Sequence, residues 1–216
     1  MSSAERLKIT EIFYSLQGEA QFVGVPTVFV RLTGCPLRCH YCDTAYAFHG
    51  GEWWNVPDIL EQVAQYGTRD VCVTGGEPLA QRHCLTLLRA LCDRGYRVSL
   101  ETSGALSVAE VDPRVSRVVD VKTPGSGEEA RNLYPQLQSL REPDQIKFVI
   151  TTRADYEWSR AKVLELALPE RCGVLFSPSY GQLEARELAE WILADRLAVR
   201  FQVQLHKLLW GEARGR

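Results

Sequence analysis

Three cysteines, Cys35, Cys39 and Cys42, lie in the stretch GCPLRCHYCDT at C-x3-C-x2-C spacing, with no fourth cysteine nearby. Structural zinc takes four ligands and a disulfide takes two. Iron-sulfur clusters are held by thiolates, and a 4Fe-4S cube with three protein ligands leaves one iron with an open coordination position. A tight loop of this spacing lets three sulfurs converge on three corners of one cube, with Pro36 shaping the turn. Zinc is the alternative, with His40, His49 or a distant cysteine as fourth ligand. His40 neighbours Cys39, which makes joint tetrahedral ligation awkward. The other four cysteines, Cys72, Cys84, Cys92 and Cys172, stand in apolar contexts (VCVTG, RHCLTLL, RALCDRG, RCGVLF) and read as core residues.

The chain that must position this triad has 216 residues, enough for one domain, residues 1–216, with a sizeable core. Its hydrophobic content of 45%, charged content of 24% and net charge of -2 are those of an ordinary globular protein, with no bulk attraction to nucleic acid or anionic membrane. The stretch MSSAERLKITEIFYS lacks the apolar run of a signal peptide, and no segment nears the length of a membrane span. A cytoplasmic location is expected, with neither nucleic acid nor membrane as partner. In that reducing setting, clustered cysteines point to metal or catalysis.

Short β-branched runs predict strands at 27–32 (TVFVRL), 71–73, 97–101 (RVSLE), 117–120, 145–150 (QIKFVI), 174–176 and 200–205 (RFQVQL). Helix-period segments lie between most of them: 57–66 with Pro57 in the first turn, 85–94 stopping at Gly95, 154–168 stopping at Pro169, and 183–194. The connection between the third and fourth strands carries no clear element. Alternation of this kind predicts an α/β fold, a parallel sheet covered by helices that can curl into a full or partial barrel.

Each predicted strand runs into a polar or glycine-rich junction: GCPLRCHYCDT, TGGEP, ETSG, VKTPGSG, TTR, SPSY and QLHK in turn. In parallel α/β folds the carboxyl ends of the strands carry the active site. Glycine and proline punctuate any strand-to-loop junction, which explains single glycines but not a polar junction after every strand.

The cysteine triad with an aromatic before its last member, followed at the next strand end by GGEP, resembles the radical S-adenosylmethionine enzymes. Over the whole chain, EIFYSLQGEA, FVRLTGC, CDT, VTGGEP, LETSG, DVKTPGSGE and QVQLHKLLWG are similar to the 7-carboxy-7-deazaguanine synthase group. The resemblance implies a partial, open TIM-like β/α barrel with parallel strands, the radical S-adenosylmethionine core. It implies that Cys35, Cys39 and Cys42 hold a 4Fe-4S cluster whose fourth iron chelates S-adenosyl-L-methionine, cleaved to methionine and a 5'-deoxyadenosyl radical. The implied reaction is ring contraction of 6-carboxy-5,6,7,8-tetrahydropterin to 7-carboxy-7-deazaguanine with loss of ammonia, a lyase step in queuosine and 7-deazapurine biosynthesis. A glycyl-radical activase of the same superfamily would share the triad and GGEP but lack the combined SLQGE, FVRLTGC and QLHK set. A zinc-binding interaction protein would lack the cluster.

The resemblance also implies site residues. Gly75, Gly76, Glu77 and Pro78 lie along the methionine moiety of the cofactor. Tyr41, Asp43, Lys122, Thr123 and Ser126 flank the cluster loop and cofactor, while Ser177, Pro178 and Ser179 close round its ribose or adenine. Thr44 is the Mg2+ residue, a hard oxygen ligand suited to that ion; a capping or turn role for Asp43 and Thr44 is the ordinary alternative. Substrate falls to Leu16, Gln17, Gly18, Glu19, Thr74, Glu101 and His206, with Arg31 offering its forked guanidinium to the substrate carboxylate. Arg31, Glu101 and His206 are the catalytic candidates beside the triad. His206 has a structural hydrogen-bonding role as its alternative, and Arg216, at the end of GEARGR, is given no substrate role. Flavodoxin or ferredoxin as reductant and a homodimeric assembly are implied as well.

Overall fold

The computed structural model describes residues 5–216; the first four residues of the stretch read for a targeting signal lie outside the described residues. The strands are β1 (Arg6–Leu16), β2 (Pro26–Leu32), β3 (Glu52–Asn55), β4 (Asp70–Gly75) and β5 (Arg97–Thr102). They continue with β6 (Ser116–Asp120), β7 (Gln145–Ile150), β8 (Gly173–Pro178) and β9 (Arg200–Phe201). All join one sheet in the order β3-β1-β2-β4-β5-β6-β7-β8-β9. From β2 to β9 every neighbouring pair is parallel. Because β3 and β9 are the two edges, the barrel is open, as expected.

The helices follow from apolar stripes. In α1 (Val56–Ala64), Val56, Ile59, Leu60 and Val63 are buried, and Pro57 sits in the first turn. In α2 (Cys84–Asp93) the stripe is Cys84, Leu87, Leu88, Leu91 and Cys92, and the helix ends before Gly95 at φ +81°, a conformation glycine adopts without penalty. A single turn, α3 (Tyr134–Leu137), precedes α4 (Arg153–Glu165), which Thr152 caps through the Asp155 N–H. The set closes with α5 (Ala185–Asp195) and α6 (Leu205–Trp210). These stripes meet the buried β-branched residues of the parallel strands in one continuous core; each fully buried Leu or Val contributes about 1.5–3 kcal/mol relative to exposure. Cys84, Cys92 and Cys172 are buried there, and Cys72 is buried outside that cluster, so all four are shielded as their contexts predicted.

Two expectations are corrected. First, the sheet is mixed: β1 runs antiparallel to both β2 and β3. Neither strand was predicted, because β1 interleaves Arg6, Lys8, Thr10 and Glu11 with its apolar residues, and β3 exposes Trp53. Second, the predicted strand over 200–205 pairs only through Arg200 and Phe201. The chain then turns inward, where the Ala20 N–H donates to Gln202 Oε1 at 2.9 Å and the Leu205 N–H to the Gly18 carbonyl at 3.0 Å. Those contacts start α6, so QLHK is a helix start rather than a strand end. The connection between β5 and β6, where the sequence showed no clear element, carries no helix.

The loop between β1 and β2, residues 17–25, folds into the concave side of the sheet. The Gln21 N–H donates to Gln145 Oε1 at 2.7 Å and its amide to Ser116 Oγ at 2.7 Å, both at the amino ends of parallel strands. Ala20 packs with Val118 and Leu175 in a small separate cluster. This plug brings Gln17, Gly18 and Glu19 into the barrel interior. Among the described residues no helix is long and apolar enough to cross a membrane.

Candidate active site

The parallel strands open at their carboxyl ends into a cavity of about 410 Å³. The ends of β2 and β4 are pressed together there: the Gly76 N–H donates to the Leu32 carbonyl at 3.1 Å and the Glu77 N–H to the Gly34 carbonyl at 2.8 Å. A Cβ on Gly76 would overlap the Gly34 carbonyl, which is why glycine stands at this position. The GGEP turn is thereby locked to the cysteine loop.

Cys35, Cys39 and Cys42 are free thiols, all partly exposed and all on the cavity wall. The loop is strapped from outside by the turn after β6. The His40 N–H donates to the Ser126 carbonyl at 3.0 Å and the Arg38 N–H to Glu128 Oε1 at 2.5 Å. Arg38 Nη1 also binds the Cys35 and Leu37 carbonyls, both at 2.7 Å. Burial pushes all three thiols up, Cys39 to about 11. Among the described residues no group of three or more His, Cys, Asp or Glu can share one metal ion. His40 and His49 are exposed and absent from the cavity lining, and the buried Cys72, Cys84, Cys92 and Cys172 are absent from it too, so none of the fourth ligands considered for zinc stands on the wall with the triad. A cubane differs in this respect, since each thiolate binds its own iron and the sulfurs need not meet at one point. Three free thiols on one wall, without a fourth protein donor, fit that group.

Tyr41 lines the same wall, and Lys122 Nζ lies 6.0 Å from its ring centroid. Lys122 is itself paired with Asp120 Oδ2 at 2.8 Å. Asp120 Oδ1 is buried with no hydrogen-bond partner while the residue lines the cavity, so an acceptor is available to a bound molecule. Thr44 precedes the short turn Ala45–Phe48 without capping it; its hydroxyl donates instead to Asp43 Oδ1 at 2.7 Å. Burial alone would raise the Asp43 carboxyl, but the Thr44 hydrogen bond, Lys207, Gln204 and Lys147 outweigh it and hold the group below its ordinary value. Asp43 and Thr44 thus present two hard oxygens to the cavity.

A second set converges from other elements. Glu101, at the end of β5, accepts from Thr74 Oγ1 at 3.0 Å and from Gln17 Nε2 at 3.5 Å. Glu19 is buried and accepts from Lys147 Nζ at 2.6 Å and Gln204 Nε2 at 2.8 Å. Burial opposes its ionisation, yet Lys147 and these hydrogen bonds leave the Glu19 carboxyl lowered. Gly18 lies directly against the His206 ring, where any Cβ would overlap Nδ1. His206 therefore reaches the cavity from the first turn of α6, not from a strand end as expected. Arg31 lines the cavity with its Nε bonded to Glu11 Oε1 at 2.7 Å, and Leu16 and the stacked rings of Phe13 and Phe29 line it as well.

Several expected site residues lie behind the wall. Glu77 is fully buried and accepts from the Leu79 N–H at 2.9 Å, Thr102 Oγ1 at 2.9 Å and the Ser103 N–H at 2.6 Å. It ties the GGEP turn to the end of β5. Thr123 donates to the Val149 carbonyl at 3.1 Å and Ser126 to the Thr123 carbonyl at 2.6 Å, so both build the turn that straps the cysteine loop. Pro78, Ser177 and Pro178 are likewise off the lining, whereas Gly75, Gly76 and Ser179 are on it. Arg216, given no role from sequence, lines the cavity with Glu212 and Lys207. Sequence reasoning also missed Asp120, Lys147 and Gln204. The polar residue within each apolar run was the available signal, and for Lys147 that signal was QIKFVI.

Residues 29–119 match the Radical SAM superfamily. The chain is 46% identical to 7-carboxy-7-deazaguanine synthase of Chlorobaculum tepidum over 219 residues, covering all of both proteins. It is 39% identical to the synthase of Koribacter versatilis, covering 94% of this chain and 97% of that protein. The crystal structure of QueE from Escherichia coli superposes with a TM-score of 0.76 at 26% identity, covering 94% of this chain and 99% of the other. With full-length similarity at this level, and the triad and GGEP turn meeting at one cavity, the chain belongs to the 7-carboxy-7-deazaguanine synthase family of the radical S-adenosylmethionine enzymes.

Proposed function

We propose that this chain converts 6-carboxy-5,6,7,8-tetrahydropterin to 7-carboxy-7-deazaguanine with loss of ammonia, as a carbon-nitrogen lyase. The observation that carries the reading is one cavity lined both by Cys35, Cys39 and Cys42 and by Arg31, Gln17, Glu101 and His206. When bound, the 4Fe-4S cluster and S-adenosylmethionine supply the one-electron chemistry; the protein supplies binding, orientation and exclusion of water. Arg31 receives the substrate carboxylate, for which a planar cationic fork is the matching group. Glu101, Gln17, Thr74 and His206 meet the donors and acceptors of the pterin edge, with Leu16, Gly18 and Glu19 forming the floor.

On the cofactor side, the Gly75 and Gly76 backbone, Tyr41, Lys122 and Ser179 contact S-adenosylmethionine. Glu77, Thr123, Ser126, Ser177 and Pro178 hold those contacts in place. Thr44, with Asp43 against it, takes Mg2+, an ion that keeps most of its oxygen ligands from water and substrate. Flavodoxin or ferredoxin as electron donor and a homodimeric assembly complete the proposal.

The experiment is anaerobic reconstitution with iron and sulfide, then incubation with the carboxytetrahydropterin, S-adenosylmethionine, Mg2+ and a reductant, with products read by mass spectrometry. Formation of 7-carboxy-7-deazaguanine is expected. A cluster-loaded protein that cleaves S-adenosylmethionine but leaves the pterin unchanged would overturn the substrate assignment.

A further inference from the structure

Glu11 has no place in the chemistry described so far, yet it is bonded to a residue that does. In the antiparallel register of β1 and β2, Glu11 stands opposite Arg31, just after a register shift between Ile9 and Glu11. Its Oε1 accepts from Arg31 Nε at 2.7 Å and from the Tyr46 hydroxyl at 2.7 Å. The Arg31 guanidinium also lies 5.6 Å from the Phe13 ring centroid and 5.9 Å from that of Tyr46. Arg31 and Phe13 line the cavity; Glu11 and Tyr46 do not. The ion pair is largely shielded, with 16% of the Arg31 side chain and 22% of the Glu11 side chain exposed.

An arginine carries five N–H donors in one rigid plane. Glu11 occupies the Nε donor from behind the wall, and among the described residues no side chain accepts from either Arg31 Nη. A long cationic side chain otherwise loses appreciable rotamer freedom when it captures a ligand, and fixing it beforehand removes that cost. We propose that Glu11 is a positioning residue: it holds the plane of Arg31 from outside the cavity so that the Nη edge faces the carboxylate of the substrate. The proposal rests on the assignment of Arg31 to that carboxylate.

The test uses reconstituted enzyme and two readouts, steady-state kinetics and calorimetric binding of the product 7-carboxy-7-deazaguanine. Glu11→Ala is expected to raise KM for the carboxytetrahydropterin and Kd for the product about three- to tenfold, the range set by immobilising one flexible side chain. KM for S-adenosylmethionine and kcat at saturating substrate should change by less than about twofold on the same grounds. Glu11→Gln retains an oxygen acceptor at Oε1 and should restore near-wild-type KM. Where Glu11→Ala is insoluble, Glu11→Asp, one methylene short, carries the same prediction. Unchanged substrate KM, or a parallel rise for S-adenosylmethionine, overturns the proposal. Arg31→Ala separates the two levels. If it leaves substrate KM unchanged, the carboxylate assignment itself fails; if it raises KM while Glu11→Ala does not, only the positioning role fails.

Discussion

Lys147 and Glu19, 128 positions apart in the chain, form an ion pair inside the cavity with Nζ 2.6 Å from Oε2. Both side chains are about nine-tenths shielded from water, at 11% and 10% exposure. Lys147 Nζ also lies 3.9 Å from Asp120 Oδ2, which in turn holds Lys122. A single lysine on β7 thus links the plug loop carrying Glu19 to the strand end carrying Asp120. Removing one partner of a buried pair strands the other charge, at a cost of about 3–5 kcal/mol. Lys147→Met should destabilise the protein by that order in chemical denaturation, and the Lys147→Met/Glu19→Gln double variant should recover a substantial part. Additive losses in the double variant would show that the pair is not coupled.

The same pair has a pH signature. The folded Glu19 carboxyl is held below its ordinary value of 4.5 because Lys147 and its hydrogen bonds outweigh burial. A lowered folded pKa contributes stability that is present above the unfolded value and lost as pH falls through the folded one. Glu19→Gln should therefore weaken the dependence of stability on pH below about 4.5, measured by denaturation midpoints at stepped pH. An acid limb of unchanged slope in the variant would contradict the assignment.

Cysteine replacement should split the seven thiols cleanly. Cys39→Ala should abolish the broad iron-sulfur absorption and turnover together, because only two thiols would remain on the cavity wall. Cys172→Ala, at a buried core thiol just before the amino end of β8, should keep both. Anaerobic absorption spectra and iron-to-protein ratios decide the matter.

Thr44→Ala should raise the Mg2+ concentration needed for half-maximal activity while leaving cluster content unchanged. The hydroxyl lost is bonded to Asp43 and lies on the cavity wall, but is not a thiol ligand. Equal Mg2+ dependence in both proteins would remove Thr44 from the metal site.

Glu77→Gln tests whether the glutamate of GGEP is scaffold. Its carboxylate accepts from Leu79, Thr102 and Ser103 with no exposure, and hydrogen bonds to a charged group contribute about 1.5–3 kcal/mol. The variant should lose stability of that order while the cluster still assembles. Wild-type stability with weakened S-adenosylmethionine binding would instead make Glu77 a direct contact.

The local features were legible in the amino-acid order. The cysteine spacing determines a loop with three thiols and no fourth donor, and the alternation of β-branched runs with apolar helical stripes determines a parallel α/β core. Gly18 and Gly76 were visible as residues, though only the structure shows that His206 and the Gly34 carbonyl leave no room for a Cβ there. What tertiary structure decided depends on partners distant in sequence. The antiparallel strands β1 and β3 are defined by pairing, and their polar residues hide them from any reading based on apolar runs. The segment 200–205 alternates like a strand, yet contacts with Ala20 and Gly18 pull it from the sheet and start α6. Lys147, Asp120 and Glu11 are visible as polar residues within their own strands, but their roles are not, since a buried charge is tolerable only where another element supplies its counter-charge, and a linear sequence does not display that pairing.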